Sequence, residues 1–406
     1  MTQRQRYFAY LMGGYGLSLN ALTAFLVPLR AVDLGVPLAV IGLLVGVRSV
    51  AETLLSVPLG RWMDRVGART GFLAGSLGTA VLGVGFFLAE DVAVLFLLQL
   101  FIGATRPLGW VGGQSYVSGM SSGADRVRDT GRLSFVANLF QIVTPLLAGL
   151  VVEGRSAQFG FLLMCGHGLF FVLVGLQVPR DEGRRAADAK QTKGEGGGNS
   201  APRPLTRELF AIPAMRSAMF LTFARLWLTS AWTAFFPLLL ITNGLSAAVA
   251  GSAVSVMSAL ATVLALTAGP LSKRIRPTLL TALALGAGAL GLAIGPLFLT
   301  VPSIYVSALL MGIGQGLSLP LLIVIVSDAV PEDRRGQALS LRNSVNQGAS
   351  MVSPTLIAPL MAAFGALVAF PAIGGIAAVA LLLSVASTRR ADAVRLHGLK
   401  GSGGAA

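Results

Sequence analysis

Gly60-Arg61-Trp62-Met63-Asp64-Arg65-Val66-Gly67-Ala68-Arg69 separates two apolar stretches, 38–60 and 69–89, each long enough to cross a bilayer. It reads as a short basic turn at a membrane surface. Gly60 permits a close helix approach or a tight exit, Asp64 puts a carboxylate at the surface, and Arg65 and Arg69 suit phosphate headgroups.

Apolar stretches of this kind recur along the whole chain. Hydrophobic residues make up 54% of the 406 and charged residues only 12%, about half the charge of an average soluble protein, which excludes a soluble fold. Backbone groups inside lipid must be satisfied within their own segment, and these runs are too long for barrel strands, so helices are expected. The reading gives twelve spans: 7–32, 38–60, 69–89, 91–121, 130–152, 158–178, 212–240, 246–271, 277–300, 303–330, 337–361 and 365–387. The first is longer than the core of a signal peptide, contains Asn20, and is followed by Pro28-Leu29-Arg30 instead of a small-residue cleavage site, so it is expected to stay in the mature protein.

A net charge of +14 could point to nucleic acid, and the positions of the basic residues decide against it. Of 31 Lys and Arg, 26 fall in termini and loops on one side of the predicted membrane, and only Arg30 and Arg155 fall on the other. By the positive-inside rule both termini and the long middle loop face the cytoplasm, with anionic lipid headgroups as their partner. The lone Cys165 lies in the sixth span and excludes an intramolecular disulfide.

Residues 179–211 are charged and glycine-rich without apolar periodicity, the composition of a cytoplasmic linker. It divides the chain into two six-helix bundles, 1–178 and 212–390, with a cytoplasmic tail over 391–406. An offset of 209 residues then superimposes Pro28 on Pro237, Gly60 on Gly269, Gly103 on Gly312 and Pro145 on Pro354 without a gap. Ser134, Asn138, Gln141 and Thr144 share one helix face in the fifth span, and the same offset lands them on Asn343, Gln347, Ser350 and Ser353 in the eleventh. The prediction is an all-α membrane protein whose two bundles form a parallel repeat.

The spacing G-x-x-x-D-R-x-G-x-R over Gly60–Arg69 resembles the loop signature of the major facilitator superfamily. Thr144-Pro145-Leu146-Leu147-Ala148-Gly149 is similar to the G-P-x-x-G-G element of the drug:proton antiporters, with Thr144 and Ala148 in place of glycines. The resemblance covers about residues 7–387. It implies a twelve-helix transporter working by alternating access, with the first, fourth, seventh and tenth helices lining a central cavity. It also implies a gate, in which Asp64 leans on the N-terminus near Gly336-Gln337 with Arg128 or Arg132 as cationic partner. The second-half counterpart of Asp64 is Lys273, which cannot repeat that latch.

Ionisable residues deep in a span are costly and mark function. Arg48 and Glu52 lie one turn apart in the second span, either as a structural ion pair or with Glu52 carrying a coupled proton. Asp33, nearer a membrane surface, is a second proton candidate. Arg106 in the fourth span has Gln315 as its offset partner. In the seventh span Thr222, Arg225, Thr229 and Thr233 share a face beside Trp232 and Phe236, and Asn20 is the offset partner of Thr229. Each arginine could instead be tied to a backbone carbonyl.

Arg48, Arg106 and Arg225 set against Glu52 leave a net of about +2, which favours an anionic or zwitterionic substrate. The expectation is a monomeric secondary transporter of the bacterial inner membrane, exporting a small amphiphilic or anionic molecule by proton antiport. Its rivals are symport or facilitated uptake of an organic anion, a non-transporting sensor, and a membrane-embedded lipid enzyme. The enzyme would need a nucleophile, base or metal cluster, and the distant His167 and His397 do not form one. No G-x-x-x-x-G-K-[ST] motif occurs, so ATP is not the expected energy source, and no cofactor or metal is expected.

Overall fold

Hydrogen bonding within each apolar segment yields fifteen α-helices and no strand among the described residues, 1–121, 123–180, 206–331 and 334–402 of a computed structural model. The first half holds α1 Gln3–Leu11, α2 Gly14–Asp33, α3 Leu38–Val66, α4 Ala68–Leu88, α5 Val92–Ser118, α6 Gly123–Gly154 and α7 Ala157–Leu176. The second holds α8 Thr206–Ala211, α9 Pro213–Ser230, α10 Phe236–Thr242, α11 Ala247–Ser272, α12 Pro277–Phe298, α13 Val301–Asp328, α14 Arg335–Phe364 and α15 Ala366–Ser402. Eleven helical stretches among the described residues, with α1 and α2 joined and α9 running on through α10, are long and apolar enough to cross a membrane. The twelfth expected span is α14, 30 residues long, in which Arg342, Asn343 and Gln347 dilute the apolar run. The expected linker falls mostly on 181–205 and the end of the tail on 403–406, outside the described residues.

Three local differences from the expected spans have physical causes. The 60–69 stretch is not a loop, because α3 continues through Arg65 to Val66 and only Gly67 leaves the helix. At φ 97° Gly67 takes a conformation that a side chain would strain, so the chain reverses there in a single residue. The first span breaks over Met12-Gly13 into α1 and α2. The seventh widens into a π-turn over Ala231–Phe235 just before Pro237, which lacks the N–H that an α-helical ladder needs.

Two compact units divide the chain. One comprises Met1–Asn199, Thr233–Ser255 and Pro354–Pro359, and the other Ser200–Trp232, Val256–Ser353 and Leu360–Ala406. In the first, Tyr15, Phe72 and Phe171 pack edge to face in the core, and the buried Tyr15 hydroxyl donates to the carbonyl of Gly75 at 3.0 Å. In the second, Leu280, Ala284, Leu317 and Leu321 form a core that joins α12 to α13, and Trp227 Nε1 donates to the carbonyl of Ile373 at 3.1 Å.

The repeat is visible in packing as well as sequence. A Cβ on Gly103 would lie 2.5 Å from Ala51 Cβ and 2.7 Å from the Arg48 carbonyl oxygen. At the offset positions a Cβ on Gly312 would lie 3.0 Å from Leu260 Cβ and 2.9 Å from the Met257 carbonyl oxygen. In lipid, where apolar contact with a neighbouring helix gains little over contact with acyl chains, such close backbone approaches supply much of the helix attraction.

Candidate functional site

Gly103 lets α5 ride close on α3, and one turn further along α5 places Arg106 against Glu52. Arg106 Nε donates to Glu52 Oε1 at 2.6 Å and Arg106 Nη2 to Glu52 Oε2, a two-pronged ion pair. The Glu52 side chain is only 4% exposed. Arg48 Nε lies 3.5 Å from the same Oε1, on the helix face that the four-residue spacing predicted. Its other nitrogens cross to α2, where Nη1 donates to Thr23 Oγ1 at 2.7 Å and Nη2 to Asn20 Oδ1 at 2.8 Å. Five polar side chains from three helices thus form one network. Two guanidinium groups hold one carboxylate there, so the network carries about one surplus positive charge.

Asp33, the other proton candidate, is exposed at the last residue of α2. It stands 13 residues beyond Asn20, roughly 20 Å along the helix, and is not part of the network.

In the second unit Arg225 Nε donates to Ser318 Oγ at 3.1 Å, which ties α9 to α13. Thr229 Oγ1 donates to the Arg225 carbonyl at 2.6 Å. Thr222 and Gln315 are buried, and among the described residues Thr222 Oγ1 and Gln315 Nε2 have no hydrogen-bond partner. Trp232 is fully buried on the π-turn. Arg342, counted with the basic residues of the cytoplasmic side although the expected span 337–361 contains it, stands about two turns inside α14.

The 60–69 residues sit at helix ends. Gly60 and Asp64 lie on α3, and Asp64 and Arg65 are exposed. Arg69 Nε donates to the carbonyl of Gly175 at 3.0 Å and Nη2 to that of Leu176 at 3.4 Å, capping the C-terminus of α7. Arg132 Nη1 donates to Tyr10 Oη at 3.2 Å, and Arg128 is exposed one turn earlier on α6. Sequence reasoning passed over Tyr10 and Asp129, which are buried and joined, with Tyr10 Oη donating to Asp129 Oδ1 at 2.6 Å. Nothing in the local spacing links residues 119 positions apart.

The model of the Major Facilitator Superfamily matches residues 7–354 and, in a second register, 243–402. The chain belongs to the Major Facilitator Superfamily. It is accordingly an integral membrane protein and a secondary transporter, not an enzyme. The facilitator fold recurs in solved structures at low identity. The nucleoside transporter NupG is 15% identical with a TM-score of 0.75, over 95% of this chain and 99% of that one. A POT family transporter in complex with 5-aminolevulinic acid is 12% identical with a TM-score of 0.72, over 95% and 96%. A D-xylose-proton symporter is 14% identical with a TM-score of 0.71, over 94% and 96%. No curated protein matches the chain in sequence.

Proposed function

We propose that this facilitator couples protons to the movement of a small organic anion, and that Glu52 carries the proton. The carrying observation is the two-pronged Arg106–Glu52 pair with Arg48 beside it. An anionic group arriving at Arg106 competes with Glu52 for the same donors. Once displaced, the buried carboxylate keeps only the longer Arg48 contact of its two counter-charges and accepts a proton more readily. Substrate and proton then favour one another's binding and travel together, which is symport. Exchange would instead require them to exclude one another, as a cation competing for Glu52 would.

The second unit supports an anionic substrate independently. Arg225, Arg342 and Gln315 offer donors there, and among the described residues Arg342 Nε and Gln315 Nε2 are buried without a hydrogen-bond partner. Arg225→Gln is expected to weaken the apparent affinity for an anionic substrate about 10- to 100-fold, the loss of one charge-assisted contact, with Arg225→Lys partly restoring it. Initial transport rates against substrate concentration test this, and an unchanged half-saturation would remove Arg225 from the substrate path.

Proton antiport for export remains the second reading, because Thr144–Gly149 resembles the antiporter element. The deciding experiment is a pH gradient across proteoliposomes, followed by an internal dye while organic anions, zwitterions and lipophilic cations are added singly. Proton entry with an added anion supports symport; proton flow opposite to the compound supports exchange.

Asp64 is proposed as part of a gate on the cytoplasmic side of a bacterial inner membrane, where the basic loops and both termini lie. It stands in the last turn of α3, where the helix dipole disfavours a carboxylate, so it is not there to stabilise its own helix. Asp64→Asn is expected to lower turnover severalfold at normal insertion, and full turnover would leave Asp64 as a surface residue.

A further inference from the structure

The groove that α1 and α6 form in the first unit lies apart from the Glu52 network, although Arg128 and Arg132 on its wall are also the cationic candidates for the Asp64 gate. It is a cavity of about 540 Å³ lined by Tyr7, Tyr10, Arg128, Arg132, Phe135 and Val136 among others. A neighbouring cavity of about 310 Å³ shares Tyr7, Tyr10, Arg128 and Arg132 and adds Arg6. Three arginines therefore surround one hollow at a helix end.

The walls are fixed from behind. Asp129 is only 3% exposed, and both its oxygens are occupied, one by Tyr10 Oη at 2.6 Å and the other by Ser121 Oγ at 2.8 Å. Asp129 thus holds Tyr10, and Tyr10 in turn holds Arg132, whose guanidinium carbon lies 5.4 Å from the centre of the tyrosine ring. Arg6 and Arg128 are exposed. Counting Asp129, the site keeps about two surplus positive charges.

One side of the hollow is apolar and open. Phe135 is 66% exposed and begins a row on α6 that continues at four-residue steps through Leu139 and Val143, both also exposed. A soluble anion such as free phosphate would use the arginines and leave this row uncovered. A molecule with an anionic head and an apolar chain uses both.

We infer that the α1–α6 groove binds one anionic phospholipid, its phosphodiester held by Arg6, Arg128 and Arg132 and an acyl chain lying along Phe135, Leu139 and Val143. Tyr7 and Tyr10 lie near the start of the first apolar stretch, Gln3–Asp33, the kind of place where aromatic side chains favour a membrane interface. The lipid bridges a terminal helix to α6 and fixes the start of α2, the helix that carries Asn20 and Thr23.

The test uses the full chain purified in detergent and native mass spectrometry with added phosphatidylglycerol, phosphatidylcholine or inorganic phosphate. One phosphatidylglycerol per chain is expected to survive desolvation, and phosphatidylcholine is expected to be lost. Arg6→Gln combined with Arg128→Gln should weaken retention at least tenfold without disturbing the Arg132–Tyr10–Asp129 chain, while Arg216→Gln combined with Arg274→Gln should leave it unchanged. Phe135→Ser should weaken the long-chain lipid and spare a short-chain analogue with the same head. Equal retention by the two double variants would overturn the site, and saturation by inorganic phosphate with no preference for the lipid would overturn its occupant. A variant that fails to fold is recognised by its thermal midpoint, and Phe135→Ser, which changes no charge, then decides the case.

Discussion

Glu52→Gln is expected to abolish proton-driven transport and to destabilise the first unit at the same time. The substitution leaves Arg48 and Arg106 together without a counter-charge in a site where Glu52 was 4% exposed. Removing one partner of a buried pair costs about 3–5 kcal/mol, most of it the penalty of the stranded charge. Glu52→Gln combined with Arg106→Gln removes both charges of the two-pronged pair and should regain most of that stability, yet not transport. Thermal midpoints and dye-monitored proton flux in proteoliposomes separate the two effects. Undiminished pH-driven transport in Glu52→Gln would assign the residue to a structural ion pair instead.

The second large effect is steric. A Cβ on Gly149 would lie 2.5 Å from the carbonyl oxygen of Ala247 and 3.1 Å from Gly251 Cα, and one on Gly251 would collide with the carbonyl of Pro145. These neighbours are backbone, so no rotamer change relieves the clash. Glu153 Oε2 secures the same approach by accepting from Ser246 Oγ at 2.8 Å and the Ala247 amide at 2.6 Å, capping α11. Gly251→Val is therefore expected to disfavour this packing by about 1–3 kcal/mol, equivalent to a shift of roughly 5- to 150-fold between packed and separated arrangements. If the transport cycle passes through the packed arrangement, as alternating access requires of its closed faces, turnover falls accordingly at matched insertion. Full turnover in Gly251→Val would show that the cycle does not need the contact. Glu153→Gln keeps one acceptor for the α11 cap and should be milder.

The Arg48–Glu52 relation was legible because four residues along a helix share a face whatever the rest of the protein does. The stronger Arg106–Glu52 pair was not, since it joins positions 54 apart and depends on how closely α5 approaches α3 at Gly103. Arg342 was counted with the cytoplasmic charges for a related reason: it follows Arg334 and Arg335 closely in sequence, and only its depth, about two turns inside α14, sets it apart from them. The 60–69 stretch gave its family in its spacing, but its basic residues suggested a loop where the backbone stays helical up to Gly67.

The sequence by itself determined that this chain is helical and embedded in a membrane, because lipid leaves the backbone few alternatives and the apolar runs are too long for anything else. It also determined the internal repeat, since residues 209 apart meet equivalent neighbours, as Gly103 and Gly312 do. Only the tertiary structure decided which charges meet. Glu52 with Arg106, Tyr10 with Asp129, and Arg225 with Ser318 are pairings across helices, set by rotation and depth of packing to within a few ångströms, and polar partners in a buried interior change with shifts of that size.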